Sequence, residues 1–152
     1  MKQKSARKGF TLIEMLIVIA IIGILSSIVL VGLGPVQSRG RDARRQSDLR
    51  GAQNALELYY GKCGHYPGGS NCEAASSEGW KEMTSSVVGA SIGINKLPND
   101  PSSGESYFYG TDGSSYVIGA KLEDAGNPVL NDDLDKTEFE VDCEDPVYCI
   151  EF

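Results

Sequence analysis

From Met15 to Leu33 the chain runs nineteen residues without a charge, most of them Ile, Leu and Val. At about 1.5 Å of rise per residue, a helix of that length nearly crosses a bilayer core of about 30 Å. The pattern predicts a membrane-spanning helix reaching to about Val36. Beyond it the hydrophobic period changes. Between Ser38 and Tyr60, Leu49, Ala52, Leu56, Tyr59 and Tyr60 recur at helical spacing with Arg and Asp on the other side, which predicts an amphipathic helix laid on a domain. Ser76 to Ile94, carrying Trp80, Met83, Val87, Val88 and Ile92, suits a short second helix and a connector covering a sheet. Two β-rich runs follow, Tyr107–Gly110 and Tyr116–Glu123, separated by Thr111–Ser115. They predict an antiparallel hairpin, with Tyr107 and Tyr109 alternating on one strand and Tyr116, Ile118, Ala120 and Leu122 on the other. One face of it packs on the helix, and Tyr148–Phe152 adds a short last strand pinned by Cys149. The expected fold class is α+β: a long N-terminal helix against a small antiparallel sheet.

Charge orients this plan. Nine residues precede Phe10, carrying Lys2, Lys4, Arg7 and Lys8 and no acid, so the positive-inside rule holds the N-terminus in the cytoplasm and sends the rest outward. No A-x-A-like site follows the apolar run, as it would after a secretory leader. The anomaly is Glu14, near the start of the apolar segment, because a charge approaching the bilayer centre costs about 2.5 kcal/mol or more. A cut between Gly9 and Phe10 would place a new α-amino cation at the start of the same helix, where Glu14 of a neighbouring copy neutralises it. Loss of the leader would take the net charge from −7 to −11. Such acidity favours solubility and argues against general nucleic-acid binding.

Lys8-Gly9-Phe10-Thr11-Leu12-Ile13-Glu14, with its short basic leader and uninterrupted apolar run, resembles the class III leader junction of type IV pilins and type II secretion pseudopilins. The resemblance implies cleavage after Gly9 and N-methylation of Phe10 by a membrane prepilin peptidase/methyltransferase. It also implies Glu14 as the assembly residue and a chain divided into a leader (1–9), a transmembrane and filament-core helix (10–36) and an extracellular α+β domain (37–152). Ala55-Leu56-Glu57-Leu58-Tyr59-Tyr60 with Tyr66-Pro67 is similar to the end of the pilin long helix. Leu97-Pro98-Asn99-Asp100-Pro101 with Tyr107 and Tyr109 resembles the "LP-x-DP … Y-x-Y" passage of major pseudopilins, except that Ser102 stands where a Trp is usual. Gly23 fits the flexible glycine of that helix, while Pro35 sits later than the family proline. Gly23 and Ser27 also form a small-xxx-small pair.

The remaining chemistry is sparse. Cys63, Cys72, Cys143 and Cys149 lie in the segment placed outside the cytoplasm, where disulfides persist. Three pairings exist. The local one, Cys63 with Cys72 and Cys143 with Cys149, closes two short loops and is preferred; a bridge from the N-terminal half to the tail is the rival. Arg39, Arg41, Arg44 and Arg45 invite a lipid or nucleic-acid reading, but a solvated face whose arginines meet acids on adjacent subunits fits the acidity better. His65, the lone histidine, reads as a surface loop residue. Gly89-Ala90-Ser91-Ile92-Gly93 matches the G-x-S-x-G of serine hydrolases but lacks a later histidine. In the acidic tail, Asn131, Asp133 and Asp135 alternate as at the start of an EF-hand loop, yet Lys136 replaces the required Gly and Asp142 the required Glu. The EF-hand fails. Since major pseudopilins bind calcium in this region, the resemblance admits a different oxygen-rich calcium site, with a merely solvated acidic loop as the alternative; no other cofactor is called for.

The functional expectation is a non-enzymatic filament subunit that waits in the cytoplasmic (inner) membrane as a single-pass protein among lipid and then joins an extracellular or periplasmic filament. Its implied partners are copies of itself, the prepilin peptidase/methyltransferase, an inner-membrane assembly platform and minor pilins. A major pseudopilin of a type II secretion system is the near alternative. A membrane-anchored extracellular enzyme or binding module is the alternative of another class.

Overall fold

The computed structural model describes residues 9–68, 72 and 79–152, with the backbone alone described at 28–33. The leader cations Lys2, Lys4, Arg7 and Lys8 and the start of the expected second-helix segment at Ser76 lie outside the described residues. The chain divides into two compact units, Met1–Gln37 and Ser38–Phe152. Helix α1 (Leu12–Cys63) contributes to both, and Gly23 and Pro35 lie within it without ending it. A glycine or proline weakens a helix by about 1 or 3 kcal/mol. The helix continues through both, so the expected weak points are not breaks.

In the first unit every large apolar side chain described is exposed, from Phe10 and Leu12 to Ile24 and Leu25. Among the described residues no helix is long and apolar enough to cross a membrane. Within the apolar run Met15–Leu33, side chains are described only as far as Ser27.

In the second unit Leu49, Ala52, Ala55, Leu56 and Tyr59 of α1 are all buried to within 1%. Leu49, Ala52, Leu56 and Tyr59 form the stripe predicted from their spacing, which Ala55 joins, whereas Tyr60, expected with them, lies one residue past Tyr59 round the helix and is 41% exposed. Against the stripe lies an antiparallel sheet in the order β1 (Phe108–Thr111), β2 (Tyr116–Lys121), β5 (Val147–Glu151). The hairpin joins Phe108 opposite Gly119 and Thr111 opposite Tyr116, so its loop is Asp112–Ser115. Tyr107, Tyr109, Tyr116, Ile118, Ala120 and Leu122 all enter the α1-side core, as their alternation requires. A short helix α2 (Trp80–Gly89) supplies Trp80, Met83 and Val87 to the same core. Burying such side chains stabilises the fold by roughly 1.5–3 kcal/mol each.

The other face of the sheet carries a second cluster of Val117, Val141, Cys143 and Cys149. A two-stranded hairpin, β3 (Thr137–Glu138) and β4 (Val141–Asp142), supplies Val141. Its turn is Phe139-Glu140, both at positive φ (47° and 67°), the conformation a two-residue hairpin turn demands. That turn comes so close to β1 that a Cβ on Gly110 would stand 2.4 Å from the Phe139 carbonyl oxygen. Across the sheet, a Cβ on Gly119 would meet the Cys149 sulfur at 3.0 Å. These two glycines let the second layer sit down on the strands.

Candidate functional site

The start of α1 is built by a reciprocal cap. The Glu14 carboxylate accepts from the Thr11 backbone N–H at 2.7 Å and from the Thr11 hydroxyl at 2.8 Å. The Glu14 N–H in turn donates to the Thr11 hydroxyl oxygen at 3.3 Å. Thr11 precedes the first helical residue and Glu14 is the third, the positions of a capping box that satisfies otherwise orphaned helix N–H groups. The cap is legible as Thr-x-x-Glu before an apolar run, a signal absent from the leader-junction reading. It fixes the carboxylate one turn from Phe10, which is 80% exposed. Gly9 and Phe10 precede the helix without regular structure.

Behind the apolar segment, the basic cluster departs from expectation. Arg39 pairs with Asp124 at 3.2 Å, Arg41 with Glu123 at 2.5 Å and Arg44 with Asp48 at 3.6 Å, all within one chain. Arg45 is not on a solvated face at all, being 1% exposed. Its guanidinium grips Asp100 through two nitrogens at 2.7 and 2.9 Å, Asp42 at 2.8 Å, Glu123 at 2.9 Å and the Ser102 hydroxyl at 2.9 Å. Asp42 then accepts the Glu123 and Asp124 backbone N–H groups, both at 3.0 Å. Five acids of the same chain therefore occupy arginines that had been assigned to neighbouring subunits. The reason is topological: the Asp100 loop and the end of β2 return to the α1 turn that carries them. Ser102 joins this network, so the residue replacing the usual Trp has a polar task of its own. Hydrogen bonds from Arg41 pull the Glu123 carboxyl down to about 2.

The cysteines pair locally, Cys63 with Cys72 and Cys143 with Cys149. The acidic tail is arranged differently from the alternation in sequence. Asp133, Asp135 and Asp145 bring one carboxylate oxygen each within 4.8 Å of one another, so Asp145 joins the two acids of the alternation. The Asn131 amide nitrogen donates to the Pro128 carbonyl at 3.1 Å, at the end of a 3-10 helix (Pro128–Asn131). One Asp133 oxygen accepts the Cys149 N–H at 2.8 Å, and the other is buried with no partner among the described residues. Burial pushes the Asp133 carboxyl above its usual range against that hydrogen bond, helped by Asp135 and Asp145.

Two further expectations meet the structure. His65 is half-buried, edge-on to Tyr59 with ring centres 6.0 Å apart, and its Nδ1–H donates to the Tyr66 carbonyl at 2.7 Å. It is a packed loop residue rather than a surface one, because the loop turns back onto the end of α1. Ser91 of the G-x-S-x-G pattern follows α2 at φ 52°. The elbow needs a helix after the serine, and here the helix comes before it. A cavity of about 710 Å³ lies along β1 and the β3–β4 turn. Among the described residues its lining holds no histidine, cysteine, serine or lysine.

Fold and site together define a class of protein: a long helix opening on a capped carboxylate amid exposed apolar side chains, followed by a small disulfide-closed antiparallel sheet. A family model for the prokaryotic N-terminal methylation motif matches residues 4–30. The chain is 36% identical over 108 residues to the type IV wide pilus major component PilA4 of Thermus thermophilus, across 68% of this chain and 81% of that protein. It is 36% identical over 67 residues to the type II secretion system core protein G of Escherichia coli, across 44% of this chain and 46% of that one. To the fimbrial protein EcpC of Eikenella corrodens it is 34% identical over 92 residues, 60% of each. The chain thus spans about half the length of the last two relatives. No solved structure matches. The chain belongs to the type IV pilin and pseudopilin family.

Proposed function

We propose that this chain is a structural subunit of a type IV pilus-like filament, cut between Gly9 and Phe10, N-methylated at Phe10 and polymerised through its N-terminal helix. What carries the reading is the exposed apolar surface of α1 together with the single capped carboxylate, Glu14, inside the matched methylation motif. Before assembly this surface meets lipid in the cytoplasmic membrane, with the N-terminus inside. In the filament it meets the same surface of other copies. Lipid tails and apolar side chains are equivalent solvents for leucine, so packing and the Glu14–Phe10 amine pair select the assembled state. Such a pair is better suited to fixing register than to adding net stability. The implied partners are the prepilin peptidase/methyltransferase, an inner-membrane assembly platform and minor pilins.

The test is the mass of the N-terminus in material sheared from cells. A chain beginning at N-methylated Phe10 supports the reading; a polymer still carrying Met1–Gly9 refutes it. The likeness to core protein G supports a second reading, a major pseudopilin of a type II secretion system. Deleting the gene then abolishes export of secreted enzymes while leaving surface pili in place, whereas a pilin deletion removes the pili.

The proposal extends to calcium at Asp133, Asp135 and Asp145. Carboxylate oxygens suit that ion, and the buried unpartnered oxygen of Asp133 fits a cation. Adding calcium should raise the melting temperature of the wild-type chain and leave that of Asp133→Asn unchanged. Equal melting of the wild type with calcium and with chelator would exclude the site.

A further inference from the structure

Among the described arginines, Arg50 alone has no acidic partner within its own chain, since Arg39, Arg41, Arg44 and Arg45 are all held by acids. It lies exposed on α1. Two turns further along the same helix is an uncommon patch of surface. Tyr60 is 41% exposed and Phe152 is 59% exposed. Their rings flank buried Tyr66, with centres 4.8 and 6.3 Å from it. Tyr66 donates its hydroxyl proton to exposed Glu57 at 3.0 Å, and exposed Glu151 belongs to the strand that leads into Phe152. Lys136 lies 3.8 Å from the Glu151 carboxylate, so the ledge offers exposed aromatic rings beside one carboxylate, Glu57, that has no cation among the described residues. Tyr66, raised by burial and by Glu57 to about 12, stays a neutral donor there.

A planar guanidinium is the group this chemistry recognises, because it stacks on aromatic faces and forks onto a carboxylate. The cation and its acceptor also share one stripe. Seven residues separate Arg50 from Glu57, which at 3.6 residues per turn leaves them on nearly the same face, about 10 Å apart along the axis. Each copy thus presents a cation and an acceptor displaced along a common direction. Such a pair can close across a two-fold axis or run head to tail without closing, and the open filament proposed above takes the second arrangement. We infer that Arg50 of one copy docks on the Glu57–Tyr60–Phe152 ledge of a second copy, a contact between the globular units that is separate from the N-terminal helix packing. The inference rests on the filament reading above.

Charge reversal tests it in the full chain, expressed in cells that assemble it. Arg50→Glu and Glu57→Arg should each lower the yield of sheared filament about tenfold, and the double reversal should recover at least half of the wild-type yield, as a direct ion pair predicts. Leader removal, read from the N-terminal mass, should be the same in all four chains. If Glu57→Arg reduces the amount of folded chain, Glu57→Gln keeps an acceptor for Tyr66 while removing the charge, and should lower the yield several-fold. Wild-type yield from Arg50→Glu or from Glu57→Gln, or a double reversal no better than either single, would overturn the contact and leave the filament reading standing. Absence of any wild-type filament would overturn both.

Discussion

Along α1, the stretch Leu16–Leu25 is more apolar than Leu49–Tyr59, yet it is the first that stands exposed and the second that is buried. Near the middle of the first, Val18 is at 49%, Ile19 at 63%, Ile21 at 51% and Ile22 at 56% exposure. Leu49, Ala52, Leu56 and Tyr59 are at 1% or less. Hydrophobicity does not decide burial here; its distribution round the helix does. The later stretch has one apolar stripe and a polar back, and a sheet of the same chain covers the stripe. The earlier stretch is apolar all round, which marks a helix whose cover is lipid or other helices. It carries no charge, whereas the helix turn just before the later stretch holds buried Arg45 among three acids.

The comparison breaks hardest at Arg45. Replacing it with Ala strands the carboxylates of Asp42 and Asp100, whose side chains are 0% and 2% exposed, and should destabilise the globular unit by about 3–5 kcal/mol in chemical denaturation. Leu56→Ala should cost a similar or slightly smaller amount, about 2–5 kcal/mol. The matching change on the exposed side, Leu16→Ala, should alter the same denaturation by no more than about 0.5 kcal/mol. It should lower filament yield instead.

Acid sharpens the contrast. The Glu123 carboxyl is held down at about 2 by hydrogen bonds from Arg41 and then Arg45. Burial raises that of Asp100, but hydrogen bonds from Arg45 and Ser102 leave it net lowered. A depressed carboxylate adds stability above its unfolded value, and that contribution fades as pH falls through the folded one. The denaturation midpoint should therefore fall from about pH 4.5 towards pH 2, and the fall should be much shallower in Arg45→Met. The most local effect is expected at the helix start. Thr11→Ala should weaken the cap by about 1 kcal/mol, read as fraying of the first turn by amide exchange, and Thr11→Ser should restore it.

Much of this architecture was legible from periodicity. The stripe from Leu49 to Tyr59 and the alternation from Tyr107 to Leu122 each name their buried face, because period fixes which side chains point together. The β3–β4 hairpin was not legible. Its turn residues, Phe139 and Glu140, are poor candidates for positive φ, and only the close seat over Gly110 accounts for them. The Arg45 network was hidden for a related reason. Asp42 is a near neighbour in sequence, but Asp100 and Glu123 reach it only through the return of the chain. Likewise Asp145 joins Asp133 and Asp135 only because the chain returns to them just before β5. Within the N-terminal site, Gly9, Phe10 and Glu14 were legible as a motif, while the cap from Thr11 was spelled out but overshadowed by it.

The claim on which the rest depends is that Glu14 is retained among apolar side chains for pairing between copies, and not merely as a helix cap. Glu14→Gln keeps the oxygen that accepts from Thr11 but removes the charge, so the comparison of leader removal with filament yield in this variant is the most direct test. The account predicts a fully processed chain, N-methylated at Phe10, that accumulates in the membrane with no filament in the sheared fraction. Abundant filaments of normal appearance from the same variant would contradict it.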